Sequence, residues 1–452
     1  MGGKQKFIVE PSKQVKVIKE TQVLVVGGGP AGVAAAVASA RAGVDTVLVE
    51  RYGHLGGLAT GGFVLLIMPM SDADGKQWVA GICEEIVERL DAIGGAVHPP
   101  KEVLGSQDSS LVKYWLSRGC RFFASEGRVT LNVLTDPEKL KCVLMDIVEE
   151  AGVSLFLHSL GVKAVKEGNR IRGVIFESKS GRQAILCDIL VDATGDGDMF
   201  ASASLPFEKG KNENLRSSKL AFVFTLSNVD YKKVMKFREE KKEEYDELMG
   251  QVEARGGFPM FLPTAREDMV WFNNFLSGFD GLSIEDLTKI EVEGRRRMLF
   301  TYNFFKKHVP GFENSFIAGT ASQIGVRATR RLVGEYVLTE EDIRSGVVHA
   351  DTVSVFPAKQ WAPSIESPLV YFPYKALLPK GVENLIVAGR CFSGDAFAQD
   401  ILSPIQCAIA MGQVAGTAAA LSIVSGSSLK SVECRLLREQ LSAQGVPLPT
   451  SL

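Results

Sequence analysis

A chain of 452 residues is longer than one hydrophobic core supports, so two intermixed domains are expected. The composition, 46% hydrophobic and 23% charged, is that of an ordinary globular protein, and a formal net charge of −2 provides no basic face for nucleic acid. Seven cysteines, at 83, 120, 142, 187, 391, 407 and 434, show no C-x-x-C and no metal-ligand spacing, so reduced thiols in a cytoplasm and no metal site are expected.

The opening MGGKQKFIVEPSKQ has no apolar h-region, so no signal peptide is expected. Residues 23–26 form a short β-branched and leucine run, read as a buried parallel strand. The run stops at Gly27-Gly28-Gly29-Pro30-Ala31-Gly32, which fits G-x-G-x-x-G, and an alanine-rich helix follows to about Ala42. A second buried run over 46–49 ends in Glu50, 18 residues after Gly32. This strand–turn–helix–strand order with an acid at its end predicts dinucleotide binding. The glycines serve a tight turn, a close backbone approach to a pyrophosphate, and helix-on-strand packing. The helix N-terminus faces the phosphates, and the acid accepts hydrogen bonds from a ribose.

The pairs Gly56-Gly57 and Gly61-Gly62 let backbone pass close to a flat or phosphorylated ligand, or form a flexible turn. A helix is expected over 82–93, and another after Asp136-Pro137-Glu138, an N-cap followed by proline at the first helical position. Strand patterns at 154–158, 161–166, 172–177 and 183–186 suggest a small antiparallel meander inserted before the next buried strand, 189–192. That strand runs into Ala193-Thr194-Gly195-Asp196-Gly197-Asp198, small residues suited to lie against a ligand. Residues 204–370 lose the βαβ rhythm and are rich in Phe, with helices expected over 231–248 and 285–307. The first texture returns in a strand over 385–388, ending at Gly389-Arg390, and a helix over 404–425. Gln406 and Gln413 interrupt that helix, the most apolar long segment, so no membrane span is expected. The fold class is α/β: a discontinuous dinucleotide domain over 20–60, 136–203 and 380–430, with a capping α+β domain from 61–135 and 204–379 inserted between its pieces.

GGGPAG with Glu50, the Gly56-Gly57 pair, ILVDATGDGD, and NLIVAGRC followed by MGQVAGTAAAL resemble in order and spacing the glutathione-reductase-type FAD-binding Rossmann fold, and GGLATGG, DATGDGD, SQIGVRATRRLVGEYVLTEEDI and PKGVENLIVAGRC resemble a narrower family. More narrowly, the chain is similar to the bacterial and archaeal FAD-dependent oxidoreductase family from about residue 23 to 421. The resemblance implies non-covalent FAD, with its pyrophosphate over Gly27, Gly29, Pro30, Ala31 and Gly32 and its ribose at Glu50, beside Arg51. It implies further contacts from Gly56, Gly57, Leu58 and Thr60, from Val162, from Ala193, Thr194, Gly195 and Asp196, and from Gly389, Arg390 and Gln406. The helix from Pro404 would point its N-terminus at the flavin, where negative charge collects on reduction. Many members carry a His-Glu pair shortly after AGRC; this chain has Arg390-Cys391-Phe392-Ser393-Gly394-Asp395 instead. A histidine base at that place is excluded, and Asp395 or Asp400 is the substitute unless no base is needed there.

Among residues able to carry chemistry, Arg327 is the candidate substrate anchor, with Arg331 on the same helical face and Arg330 pointing elsewhere. The structural alternative pairs these arginines with Glu335, Glu340 or Asp342. Asp395 is the candidate base; the competing account is that it caps the helix or loop that follows, or hydrogen-bonds the ribityl chain. Cys391 is read as a small buried residue and His54 as a hydrogen-bonded one that could touch the cofactor. Only one G-x-G-x-x-G is visible and no cysteine precedes Cys83, so a second nucleotide domain and a redox C-x4-C are unsupported. The expected function is hydride transfer between a small-molecule substrate and FAD. The electron-acceptor partner is left open among oxygen, a quinone, a protein and a nicotinamide, and a homo-oligomer is left open too. A fumarate-reductase-like reductase and an electron-relay subunit are the alternatives.

Overall fold

The computed structural model describes residues 8–118, 121–209, 214–360 and 365–449, which leaves Cys120 and the first seven residues outside the description. Strand β1 (Lys16–Val26) ends in Val23, Leu24 and Val25, fully shielded from water, as the buried run requires. It begins seven residues earlier than the apolar signal, because the polar stretch from Lys16 pairs with a neighbouring strand that extends alongside it. Helix α1 (Pro30–Arg41) and strand β2 (Thr46–Val49) complete the first unit. The following segment holds helix α2 (Ile82–Ala92) and a three-stranded sheet built from Leu66–Ile67, Val133–Thr135 and Ala96–Val97. Helix α3 (Pro137–Glu150) starts as expected: the Asp136 carboxylate accepts from the Glu138 and Lys139 N–H groups.

Strands β3 (Ser154–Phe156), β4 (Leu160–Glu167), β5 (Arg170–Ser178) and β6 (Gly181–Asp192) follow. The runs 183–186 and 189–192 are one strand, not two. The first half of β6 pairs antiparallel with β5, while from Gln183 to Asp192 it lies parallel to β1. One mixed sheet results, in the order β3-β2-β1-β6-β5-β4.

Beyond Asp192 the chain leaves this sheet. Strands β7 (Leu220–Ser227), β8 (Val270–Leu276) and β9 (Phe316–Thr320) form a second sheet, completed by the short strand Leu262–Pro263. The expected helix over 231–248 is two, α4 (Tyr231–Glu240) and α5 (Lys242–Ala254), broken at Lys241 with φ −131°. The break lets Val234 and Phe237 on one helix and Tyr245 and Val252 on the other each reach the interior. Helix α6 (Ile284–His308) backs the sheet, and the Phe-rich texture becomes a core in which Phe224 stacks on Phe272 at 4.5 Å and Phe305 meets both Phe272 and Phe312 edge-on.

The chain returns through β10 (Leu385–Val387), parallel to the end of β6, then α7 (Ala396–Leu402) and α8 (Ile405–Ser425). Helix α8 is long and apolar enough to cross a membrane, yet 83% of its most apolar window is buried within the molecule. It packs along α1, where a Cβ on Gly412 or Gly416 would lie 2.1 Å from the carbonyl oxygen of Ala31 or Ala35.

Candidate functional site

The end of β1, two helix N-termini and the end of β6 converge on one cavity of about 330 Å³. Gly27 has φ 102°, and a Cβ there would sit 2.4 Å from the Ala193 carbonyl oxygen. At Gly32 the added atom would lie 1.7 Å from the carbonyl oxygen of Gly27, so α1 can approach the strand only through glycine. Gly29 differs: an added Cβ would meet nothing within 4 Å, and the position opens on the cavity. Glu50 is buried, and its carboxylate accepts from the Gly28 N–H at 2.5 Å and the Tyr52 N–H at 2.8 Å. Its remaining lone pairs are available to the cavity it lines.

The facing wall is organised by buried Asp192, whose oxygens accept from the Thr194 N–H and hydroxyl and from the Met199 and Phe200 N–H groups. Burial pushes this carboxyl up to about 6, against the pull of those hydrogen bonds. Asp196, in the loop so formed, accepts from the Thr329 hydroxyl at 2.7 Å and from Arg390 Nη2 at 2.8 Å. Burial opposes its charge, but Arg390, the Thr329 hydroxyl and Arg51 outweigh it and hold the carboxyl below its usual range. Neither α1 nor α8 has a side-chain N-cap, and Pro30 and Ile405 in their first turns line the cavity. Gln323 Nε2, on the same wall, is buried without an acceptor. Open space at Gly29, two uncapped helix N-termini, the Arg51 and Arg390 cations and an unsatisfied amide suit a dinucleotide carrying a pyrophosphate.

Gly27, Gly29, Pro30, Ala31, Glu50, Arg51, Gly57, Leu58, Ala193, Thr194, Gly195, Asp196, Gly389 and Arg390 all line this cavity. Five expected residues do not. Gly32 and Gly56 shape the backbone behind it; the Gly56 N–H donates to the Gly28 carbonyl. Thr60 is fully buried and donates its hydroxyl to Leu55 O at 2.6 Å. Val162 is displaced by Ser159, Leu160 and Gly161, which form that stretch of wall. Gln406 turns its amide oxygen to the Met68 N–H at 3.2 Å. Ser159, Gln323 and Ser403 also line it without being expected there; Gln323 lies in the SQIGVRATRRLVGEYVLTEEDI stretch and Ser403 just before the helix-starting Pro404, while Ser159 has no local signal.

A second cavity, of about 270 Å³, shares Leu58, Val326, Arg390, Ser403 and Ile405 with the first. Its other walls are mainly apolar, from β7, β8 and the stretch 64–68. Arg327 lies in it with its guanidinium 4.3 Å from the Phe275 ring centre, and its Nη2 donates to Asn273 at 3.3 Å. Its Nη1 is buried without an acceptor. Burial, and secondarily Arg216, draw the Arg327 guanidinium down to about 9, with Asp400 opposing; it remains a cation at neutral pH.

The expected helix carrying Arg327 and Arg331 is absent: Gly325 bridges to Ala221 and Arg331–Leu332 is a short strand. Arg330 pairs with Asp198 at 2.8 Å and Arg331 with Glu208 at 3.2 Å. Glu335, Glu340 and Asp342 have other duties, with Lys430, with Arg344 and in the capping box of Thr339. Asp395 is not placed to act as a base. It caps α7, accepting from the Ala398 N–H at 2.8 Å and the Glu340 N–H at 2.7 Å, and it lines neither cavity. Asp400 is held by the Ser217 N–H and Arg216, and His54 stacks on Tyr52 outside both cavities. The thiol of fully buried Cys391 is pushed well above its usual range by burial.

Residues 22–441 match the family model described as FAD dependent oxidoreductase. The chain belongs to this family. It is therefore an enzyme using FAD, and the mixed sheet is that of an α/β FAD-binding fold. Two dihydrolipoyl dehydrogenases share a short stretch with this flavoenzyme. That of Buchnera aphidicola subsp. Acyrthosiphon pisum (strain APS) is 60% identical over 38 residues, 8% of this chain and 8% of the relative. That of Haemophilus influenzae (strain ATCC 51907 / DSM 11121 / KW20 / Rd) is 53% identical over 47 residues, 10% of this chain and 9% of the relative. The matches thus span under a tenth of those relatives. Among solved structures, a geranylgeranyl bacteriochlorophyll reductase-like protein from Thermoplasma acidophilum is similar at TM-score 0.46 and 14% identity, over 95% of this chain and 84% of that one. The p-nitrophenol 4-monooxygenase PnpA from Pseudomonas putida DLL-E4 is similar at TM-score 0.47 and 13% identity, over 94% and 84%.

Proposed function

We propose that this flavoenzyme transfers a hydride between a small organic substrate in the second cavity and non-covalent FAD in the first, with a separate electron acceptor or donor. The observation carrying this reading is the shared wall: Leu58, Val326, Arg390, Ser403 and Ile405 belong to both cavities, so a ligand of each would meet there. The segments 61–135 and 204–379 act in it as the substrate cap over a cofactor domain of 20–60, 136–203 and 380–430. Gly29 and the N-terminus of α1 take the pyrophosphate, Glu50 the ribose, and Asp196 with Arg390 the stretch toward the flavin. Bound FAD supplies the two-electron chemistry. The apolar walls exclude water, and Arg327 orients the substrate.

Among the described residues, no carboxylate or imidazole lines the second cavity. That observation favours a second reading, reduction of an activated double bond with Arg327 as proton donor.

The test is a plug. Leu262 is half-buried on the wall of the second cavity, so Leu262→Trp fills it while leaving the cofactor groove intact. The variant is expected to purify yellow yet fail in anaerobic rapid mixing with whichever small organic donor bleaches the wild-type flavin. Unchanged bleaching would remove the cavity from the reaction.

A further inference from the structure

We infer that the second cavity selects an apolar monocarboxylate, its carboxylate on Arg327 and its body against Phe275, Trp271 and the aliphatic wall. The inference rests on the reading of that cavity as the substrate site and adds the chemical class.

Charge is the first ground. Three arginines line the cavity: Arg216, Arg327 and Arg390. Arg216 is paired with Asp400 and Arg390 with Asp196. Arg327 has no carboxylate within ion-pair distance among the described residues: Asp400, held by Arg216, acts on it only at longer range, and its close contacts are the amide oxygen of Asn273 and the face of Phe275. A desolvated cation is ordinarily paired. Here the missing counter-ion is a single negative charge, since the other two cations are neutralised.

Shape is the second. Trp271, Asn273 and Phe275 alternate along β8 and so present one face to the cavity, joined by Ala221 and Val223 from β7. Asn273 is the polar rung of that face, and it fixes the guanidinium at one end. The planar fork suits a carboxylate. The far walls, Val64, Leu66, Met260 and Leu262, supply no donor side chain for a second anionic group, so a dicarboxylate would bury a charge against hydrocarbon.

Isothermal titration of the FAD-loaded enzyme with 3-phenylpropionate, 3-phenylpropionamide and succinate tests this. The acid is expected to bind at least about tenfold more tightly than its amide, the usual worth of a charge-assisted hydrogen bond, with succinate weaker than the acid. Arg327→Met, which keeps most of the apolar volume, should retain FAD and abolish the acid–amide difference, whereas Arg327→Lys should keep part of it. Equal binding of acid and amide by the wild type, a preference for succinate, or an undiminished acid preference in Arg327→Met overturns the inference. Should Arg327→Met fail to hold FAD, the wild-type comparison and Arg327→Lys decide by the same criteria. The two failures are separable. If Leu262→Trp blocks flavin bleaching while the acid shows no preference, the substrate class is wrong and the cavity assignment stands. If bleaching survives the plug, the cavity assignment falls.

Discussion

Gly29 and Gly32 stand three residues apart in one motif, yet their substitutions should fail differently. At Gly32 any side chain strikes the Gly27 carbonyl, so Gly32→Ala should disrupt the strand–helix packing itself. At Gly29 an added Cβ meets nothing, so Gly29→Val should fold and lose the cofactor whose space it enters. Purified Gly29→Val is expected to be colourless with a wild-type circular dichroism spectrum; retained FAD would show that the pyrophosphate lies elsewhere. Asp395 makes the opposite contrast. Both its oxygens hold backbone N–H groups, of Ala398 and Glu340. Asp395→Ala should therefore cost about 0.5–2 kcal/mol, the range for losing an N-cap, read by denaturant unfolding. The rate of flavin reduction should be unchanged, and a fall of two or more orders of magnitude would restore Asp395 as a base.

Helices α1 and α8 pack closely because each offers small residues where they meet. Gly416→Ala brings a methyl group to 2.1 Å from the Ala35 carbonyl oxygen, closer than any relaxed contact. The helices must separate, at a cost of about 1–3 kcal/mol for overpacking. Since α8 also directs its N-terminus at the cofactor cavity, weaker FAD retention should accompany the lower unfolding midpoint. A wild-type midpoint with full FAD content would show the pair to be more compliant than its geometry. Such elements were legible in the sequence because burial on all sides leaves continuous apolar or small-residue runs: 23–26, 46–49 and 404–425 all read correctly. What escaped was set by partners far along the chain. The polar start of β1 is a strand only because β6 extends beside it. Strand β7 is buried along its whole length, so it shows no two-residue alternation. Arg327 and Arg331 have helical spacing, but Gly325 is captured by Ala221 of β7, which holds that stretch extended. The glycine-rich turns that line the first cavity were legible, since they depend on local backbone shape. For Asp395 the sequence leaves base and cap both open, and only its neighbours in space, the Ala398 and Glu340 N–H groups, favour the cap.

At the scale of the whole molecule, Asp196 stands where three distant segments meet. It belongs to the loop after β6 and accepts from Thr329 of the inserted segment and from Arg390 after β10. The Arg330 guanidinium closes the same junction, donating to the Asp196 carbonyl at 2.9 Å and to Asp198 at 2.8 Å. The junction thus ties the end of β6 to the segment carrying Thr329 and Arg330 beside the cavity, and its strength should be visible as pH dependence. The folded protein holds the Asp196 carboxyl below the usual 3.8, so its ionised form is favoured more in the folded than in the unfolded chain. A depressed folded value contributes stability that is complete above the unfolded value and is lost as pH falls through the folded one. The difference in melting temperature between wild type and Asp196→Asn should therefore be constant from neutrality down to about pH 4–5 and shrink only at lower pH, toward and below the usual 3.8. Asp192, seated a few residues away in the same turn, has the opposite sign. Burial raises it to about 6, so its own contribution is complete below 3.8 and declines as pH rises through 6. Asparagine at 196 leaves that titration in place on both sides of the comparison, so it cancels in the difference. A difference that instead narrows between pH 7 and 5 would mean that Asp196 titrates near Asp192 and that Arg390 does not hold it ionised.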